Sequence, residues 1–142
     1  MSGEEHDSWS IGGDLRADLP TGTIFKLRLW RGVLLGDYTG GVFQNVSSVS
    51  GEPVSAHGFL AALGQALGLG WQVNVGFGRD DPADADVGSG ERTLNEAAFA
   101  NVFWNWSKSL GFALEGSRWN TVFEEQGSTR AWRGELMSMT RF

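Results

Sequence analysis

The sequence predicts an all-β fold, an antiparallel up-and-down meander of about seven to eight strands. Three observations predict it. Apolar and polar residues alternate with a period of two through most of the chain. The composition is rich in Gly (21) and Trp (7) and poor in Pro (3) over 142 residues, which suits strands, tight turns and interfacial aromatics rather than a helical bundle. The polar connections between alternating segments run short, long, short, long, short, medium.

Residues 8–18 open the meander. Trp9, Ile11, Leu15 and Ala17 fall on one face, with Ser8, Ser10, Asp14, Arg16 and Asp18 on the other. Leu19-Pro20-Thr21-Gly22 reads as a turn, Pro fixing φ and Gly supplying positive φ. In residues 23–35, Phe25, Leu27, Leu29, Val33 and Leu35 alternate with Lys26, Arg28 and Trp30, and Arg31 interrupts the apolar face. Residues 36–55 are rich in Gly, Ser and Asn and read as a long loop.

Residues 56–67 are ambiguous. Leu60, Leu63 and Leu67 have helical spacing, but the glycines in this stretch disfavour a helix by about 1 kcal/mol each, and strand is preferred. The cleanest alternation follows, Trp71, Val73, Val75 and Phe77 against Gln72, Asn74, Gly76 and Gly78. A second long loop is expected near 79–94. In residues 95–106, Ala98, Ala100, Val102, Trp104 and Trp106 oppose Phe99, Asn101, Phe103 and Asn105. Beyond a turn at Ser107-Lys108-Ser109, residues 110–121 set Leu110, Phe112, Leu114 and Gly116 against Ala113, Glu115, Ser117 and Trp119. A third loop is expected near 120–130, then a last strand over 130–142. Residues 1–7 are acidic and polar and are expected to be disordered, with residues 8–142 forming one β-domain.

Tight turns alternating with long loops, and segments of about 10–12 residues, are the habit of strands that cross a bilayer. The expectation is therefore a portion of a transmembrane β-barrel, with short turns on the periplasmic side. Seven strands would start outside and end inside, so at least one further strand is expected upstream, or partner strands that close the barrel. Residues 1–7 are not a signal peptide, so an exported protein implies a fragment or a mature form.

Other classes are excluded or disfavoured. A net charge of −6 with no basic stripe argues against nucleic acid. Without cysteine there are no disulfides, thiolate metal sites or Cys nucleophiles. The serines lack a GxSxG context, no carboxylate pair stands out for acid–base work, and His6 and His57 have no metal-like spacing. No enzyme activity and no cofactor are expected.

Several segments resemble, in order, the late strands of porin-like bacterial outer-membrane proteins. They are Ile11-Gly12-Gly13-Asp14-Leu15, Gly36-Asp37-Tyr38-Thr39-Gly40-Gly41, and Gly76-Phe77-Gly78-Arg79-Asp80-Asp81-Pro82-Ala83-Asp84-Ala85-Asp86. Ala100-Asn101-Val102-Phe103-Trp104-Asn105, Leu114-Glu115-Gly116-Ser117-Arg118-Trp119 and the terminal Arg141-Phe142 follow. The likeness spans roughly residues 10–142 and would correspond to the last third of such a barrel. It implies a bacterial outer-membrane location and passive diffusion of ions or small hydrophilic solutes. In that class the closing strand ends on an aromatic with apolar residues two, four and six positions earlier. Thr140, Ser138 and Leu136 are a weak version, and Met137 and Met139 occupy the other face.

The residues expected to line an aqueous lumen are Lys26, Arg28, Asn74, Asn101, Asn105, Glu115, Arg133 and Glu135, all opposite the apolar faces. The same pattern also suits the solvated face of an ordinary sheet. Trp71, Trp104, Trp106, Trp132 and Phe142 are expected in an aromatic girdle at headgroup level, the bland alternative being core packing. Asp80, Asp84 and Asp86 faintly echo a calcium loop, but the spacing is incomplete and a solvated acidic loop is the preferred reading. The partners are the lipid bilayer, small solutes and closing strands. The main rival is a soluble lipocalin-like barrel binding an apolar ligand, which inverts the faces. A second is an interaction domain with one large apolar patch.

Overall fold

The computed structural model describes residues 6–35 and 44–140. The chain is all-β. Seven strands form one antiparallel sheet in sequence order: β1 (Trp9–Asp18), β2 (Thr23–Val33), β3 (Ser55–Gly68), β4 (Trp71–Pro82), β5 (Arg92–Asn105), β6 (Leu110–Phe123) and β7 (Gly127–Thr140). Each strand pairs only with its neighbours in the chain, so every connection is a hairpin. The sheet is not closed into a barrel, and β1 and β7 each leave an edge unpaired among the described residues.

Connections at residues 19–22, 69–70 and 106–109 lie at one end, called here the short-turn end. Those at 34–54, 83–91 and 124–126 lie at the other, the long-loop end. The expected loop near 120–130 is mostly strand, because β6 runs to Phe123 and β7 begins at Gly127. Glu125, with φ 60°, and Gly127, with φ 82°, let the chain reverse in so short a space. The expected loop near 79–94 shortens likewise, since β4 continues to Pro82, β5 starts at Arg92, and only a 3-10 turn at Asp84–Asp86 intervenes. Residues 56–67, ambiguous in sequence, are strand. Of the remaining expectations, residues 1–5, 36–43, Arg141 and Phe142 lie outside the described residues.

Register fixes the two faces. Phe25, Leu63, Val75 and Ala100 share one row; Val73, Val102, Leu114 and Leu136 share another. These rows belong to the apolar face. The opposite face carries rows such as Asn74, Asn101, Glu115 and Glu135. The sheet curls around this second face, so that Asp14 of β1 and Met139 of β7 line one groove. Leu35 departs from expectation. Leu34 takes a left-handed conformation (φ 58°) and turns the chain, and Leu35 is buried on the grooved side, where a Cβ on Gly32 would meet its Cδ2 at 2.8 Å.

Almost no core exists. Among the described residues, only Leu35, Val54, Ala56 and Ala113 are buried hydrophobics, although 41% of the chain is hydrophobic. The apolar face is instead open. Leu136 is 80% exposed, Trp132 79% and Ile11 68%. A soluble sheet of this size buries one face against a second layer. This one carries its oily face outward.

Candidate functional site

The grooved face is built by alternation. On each strand every second residue points into the groove, whose volume is about 690 Å³. All eight residues expected to line a lumen share this face: Lys26 and Arg28 on β2, Asn74 on β4, Asn101 and Asn105 on β5, Glu115 on β6, Arg133 and Glu135 on β7. The first six line the groove itself.

A polar ladder crosses the middle of this face. Gln72 Nε2 donates to Asn74 Oδ1 at 2.7 Å, Asn74 Nδ2 donates to Asn101 Oδ1 at 2.7 Å, and Asn101 Nδ2 donates to Glu115 Oε2 at 2.9 Å. Asn74, Asn101 and Glu115 are direct register partners, so the ladder is a cross-strand stack. On β7 the Arg133 guanidinium donates to Glu135, which sits opposite Glu115. On the β1 side, Arg28 Nε donates to Asp14 Oδ1 at 2.6 Å, and Lys26 lies opposite Arg16. On β1 and β2 the cations Arg16, Lys26 and Arg28 stand with Asp14 and Asp18, which pair with Arg28 and Arg16, while Glu115 and Glu135 face one another on β6 and β7 beside Arg133. Gln72, Asp14 and Arg16 were not singled out from sequence, although alternation places them on this face.

Aromatic rings interrupt the polar wall. Trp30 lies across Gly58 and Phe99 across Gly76, each its direct register partner. A Cβ at either glycine would run into the ring, so these glycines are needed for close approach. Trp119 and the two methionines Met137 and Met139 share this face.

On the outward face, Trp71 stacks on Trp104 with ring centroids 5.0 Å apart, and Trp106 packs on Trp104 at 4.9 Å. The three form one cluster at the short-turn end. Trp132, expected in the same girdle, lies apart from them, in the half of β7 toward the long loops, with the Arg118 guanidinium 6.0 Å from its ring.

At the long-loop end the connections are stitched together. Glu91 accepts hydrogen bonds from Ser48 N (2.5 Å), Gly88 N (2.6 Å) and Ser47 Oγ (3.3 Å). Gln44 pairs with the backbone of Arg92 through both amide atoms, donating to O at 3.0 Å and accepting from N at 2.7 Å. Asp86 accepts from Ser55 N and Oγ. Burial pushes the Glu91 carboxyl up, but the hydrogen bonds it accepts from Ser48, Gly88 and Ser47 outweigh this and hold it below the usual carboxylate range. Sequence reading missed this staple, because its partners lie 43 and 44 residues apart.

The faint calcium echo gains no geometry. Asp86 is engaged with Ser55, Asp80 lies back on β4, and among the described residues no group of three or more His, Asp or Glu is arranged to hold a metal. No protein-family model matches the chain, and no curated protein or solved structure matches it. The likeness to porin-like proteins therefore rests on the quoted residues alone.

Proposed function

We propose that this chain is a wall of a membrane-spanning β-barrel channel, with its grooved face lining water and its apolar face in lipid. It would pass ions or small hydrophilic solutes passively, with no catalysed step and no cofactor. The location that suits it is a bacterial outer membrane. Its partners are the bilayer, the solutes and the strands that close the barrel. One observation carries the reading: below the charged border on the long-loop side the outward face is aliphatic and aromatic and lies open, while at the same height the inside of the curl carries Lys26, Arg28, Asn74, Asn101 and Glu115 among a few rings. A soluble barrel holding an apolar ligand would have the reverse.

The outward face supports this in a second way. Arg31, His57 and Asp81 share one register row. Arg79, Glu96, Asn120 and Arg130 share the next row, two residues nearer the short turns, and Arg118 is two residues nearer still. The upper limit of the apolar band thus descends four residues over the four steps from β2 to β6 and returns two residues on β7, at Arg130. One residue per step, at about 3.3 Å rise and about 4.8 Å between strands, levels out when the strands tilt by roughly 35°. Closed barrels tilt by about 35–45°. Along β5 and the first residue after it, the uncharged outward stretch from Ala98 to Trp106 then spans about 22 Å along the membrane normal, close to the ~25 Å apolar band of such barrels.

The test is reconstitution of the full chain. The proposal expects that it needs detergent to stay dispersed and that it inserts into liposomes, where chain-brominated lipid quenches its Trp emission; solute flux is expected once strands that close the sheet are supplied. A chain that is monomeric and soluble in plain buffer and does not insert into liposomes would overturn it.

A further inference from the structure

The distribution of arginine on the outward face has a chemical meaning that the channel reading does not supply. Of the described Lys and Arg, Arg16, Lys26, Arg28 and Arg133 are on the grooved face, Arg92 begins β5 and Lys108 is in a short turn. The other four, Arg31, Arg79, Arg118 and Arg130, are all on the apolar face, and all lie at its border with the long-loop end. None of the four is lysine.

Arg79 is spoken for, since its guanidinium meets Asp81 at 2.7 Å and Glu96 at 3.8 Å. Among the described residues, Arg31 and Arg130 have no ion-pair partner. Arg118 sits over the exposed ring of Trp132. Arg130 is opposite Asn120 on β6, and Arg118 is opposite Trp132 on β7, so the two arginines are diagonal neighbours. Diagonal positions are about 7–8 Å apart, a span that two guanidinium groups close around one phosphate. Trp132, level with Arg118 in the register and two residues nearer the short turns than Arg130, offers an apolar surface beside them. The two carboxylates of this border, Asp81 and Glu96, leave it net positive on a chain whose total charge is −6.

Resting on the membrane reading above, we propose that this border binds the phosphate headgroups of anionic lipids in the leaflet on the long-loop side, with Arg118 and Arg130 over Trp132 as its principal site. The charge is complementary there. Guanidinium suits the role because it holds phosphate bidentately. At the barrel tilt Arg31, Arg79 and Arg118 come to one depth, and Arg130 lies above Arg118 on the side of the long loops.

The experiment uses the full chain in micelles doped with equal amounts of phosphatidylglycerol and phosphatidylcholine, with retained lipids counted by native mass spectrometry. The expected result is selective retention of phosphatidylglycerol, reduced about five-fold for each arginine removed in R118Q and R130Q. R130Q is the safer single variant, because Arg130 is exposed and has no ion pair to lose. K108Q, in the short turn, should leave the selectivity unchanged. A parallel measurement, quenching of Trp emission by chain-brominated phosphatidylcholine in vesicles, separates the two ideas. Quenching with no phosphatidylglycerol preference, or with a preference that survives R118Q/R130Q, overturns the headgroup site alone. Displacement of the lipid by millimolar inorganic phosphate would mark a general anion site and also overturn it. Absence of quenching overturns the membrane reading and the site together.

Discussion

Leu114→Arg separates a lipid-facing sheet from a water-facing one. Leu114 lies on the outward face of β6, between Val102 and Leu136 in the register, and is 56% exposed in the isolated sheet. In water, arginine at so open a position changes stability by no more than about 0.5 kcal/mol. In a bilayer the same row lies deep in the apolar band, and an arginine there costs about 2–4 kcal/mol. At about 1.4 kcal/mol per factor of ten, that is a loss of roughly 30-fold to nearly 1,000-fold in the folding equilibrium. Leu69→Arg provides the scale. Leu69 is 96% exposed in the two-residue turn between β3 and β4, at the short-turn end, where the cost falls to about 0–1 kcal/mol. The assay is denaturant-driven folding of both variants into phosphatidylcholine vesicles, followed by Trp emission. Equal costs for the two substitutions would refute the assignment of the outward face to lipid.

Three further outcomes follow from the groove and the loops. Asn101→Ala removes the bonds to Asn74 and Glu115 in a half-buried row and is expected to lower stability by about 1 kcal/mol, read by denaturation. Gly58→Val drives a side chain into the Trp30 ring and the Arg79 carbonyl, and is expected to cost about 1–3 kcal/mol in the same denaturation assay. The Glu91 staple, whose carboxyl is held below its ordinary value of 4.5, stabilises the folded loops in full above that pH, and its contribution is lost as the pH falls through the lowered native value. Amide exchange over residues 44–54 should therefore accelerate at acid pH in the wild type, while Glu91→Gln should show fast exchange already at neutral pH.

The strands were legible where the two faces differ sharply in chemistry. Residues 71–78 alternate bulky apolar groups with amides and glycine, and period two follows directly. Their upper ends were not legible. Arg79-Asp80-Asp81-Pro82 and Asn120–Phe123 look like loop because the apolar band stops below them, yet the backbone ladder continues, since its hydrogen bonds do not depend on oil on either side. Residues 56–67 offered leucines at helical spacing. Gly58 and Gly64 decide the matter, because they fall on one face of a strand opposite Trp30 and Asn74, whose side chains occupy the space a Cβ would need. Trp132 shares the outward face with Trp71 and Trp104, and alternation alone does not report height along the strand. The staple from Glu91 to Ser47 and Ser48 spans too much sequence for any local pattern to show it.

Closure of the sheet follows from strand direction. β1 runs from the long-loop end to the short-turn end, and so does β7. Joining these two edges directly, within one chain or head to tail between two copies in one membrane, would make a parallel pair in an otherwise antiparallel sheet. An all-antiparallel ring requires an odd number of additional strands between them, the first of which rises beside β7 and the last beside β1. In the bilayer reading this is not optional. Every N–H and C=O left unpaired along an edge in hydrocarbon costs several kcal/mol, and ten residues of β1 and fourteen of β7 present such edges. The outward apolar face and the open edges thus make one demand together, for strands that share this chain's alternation, oily outside and polar within.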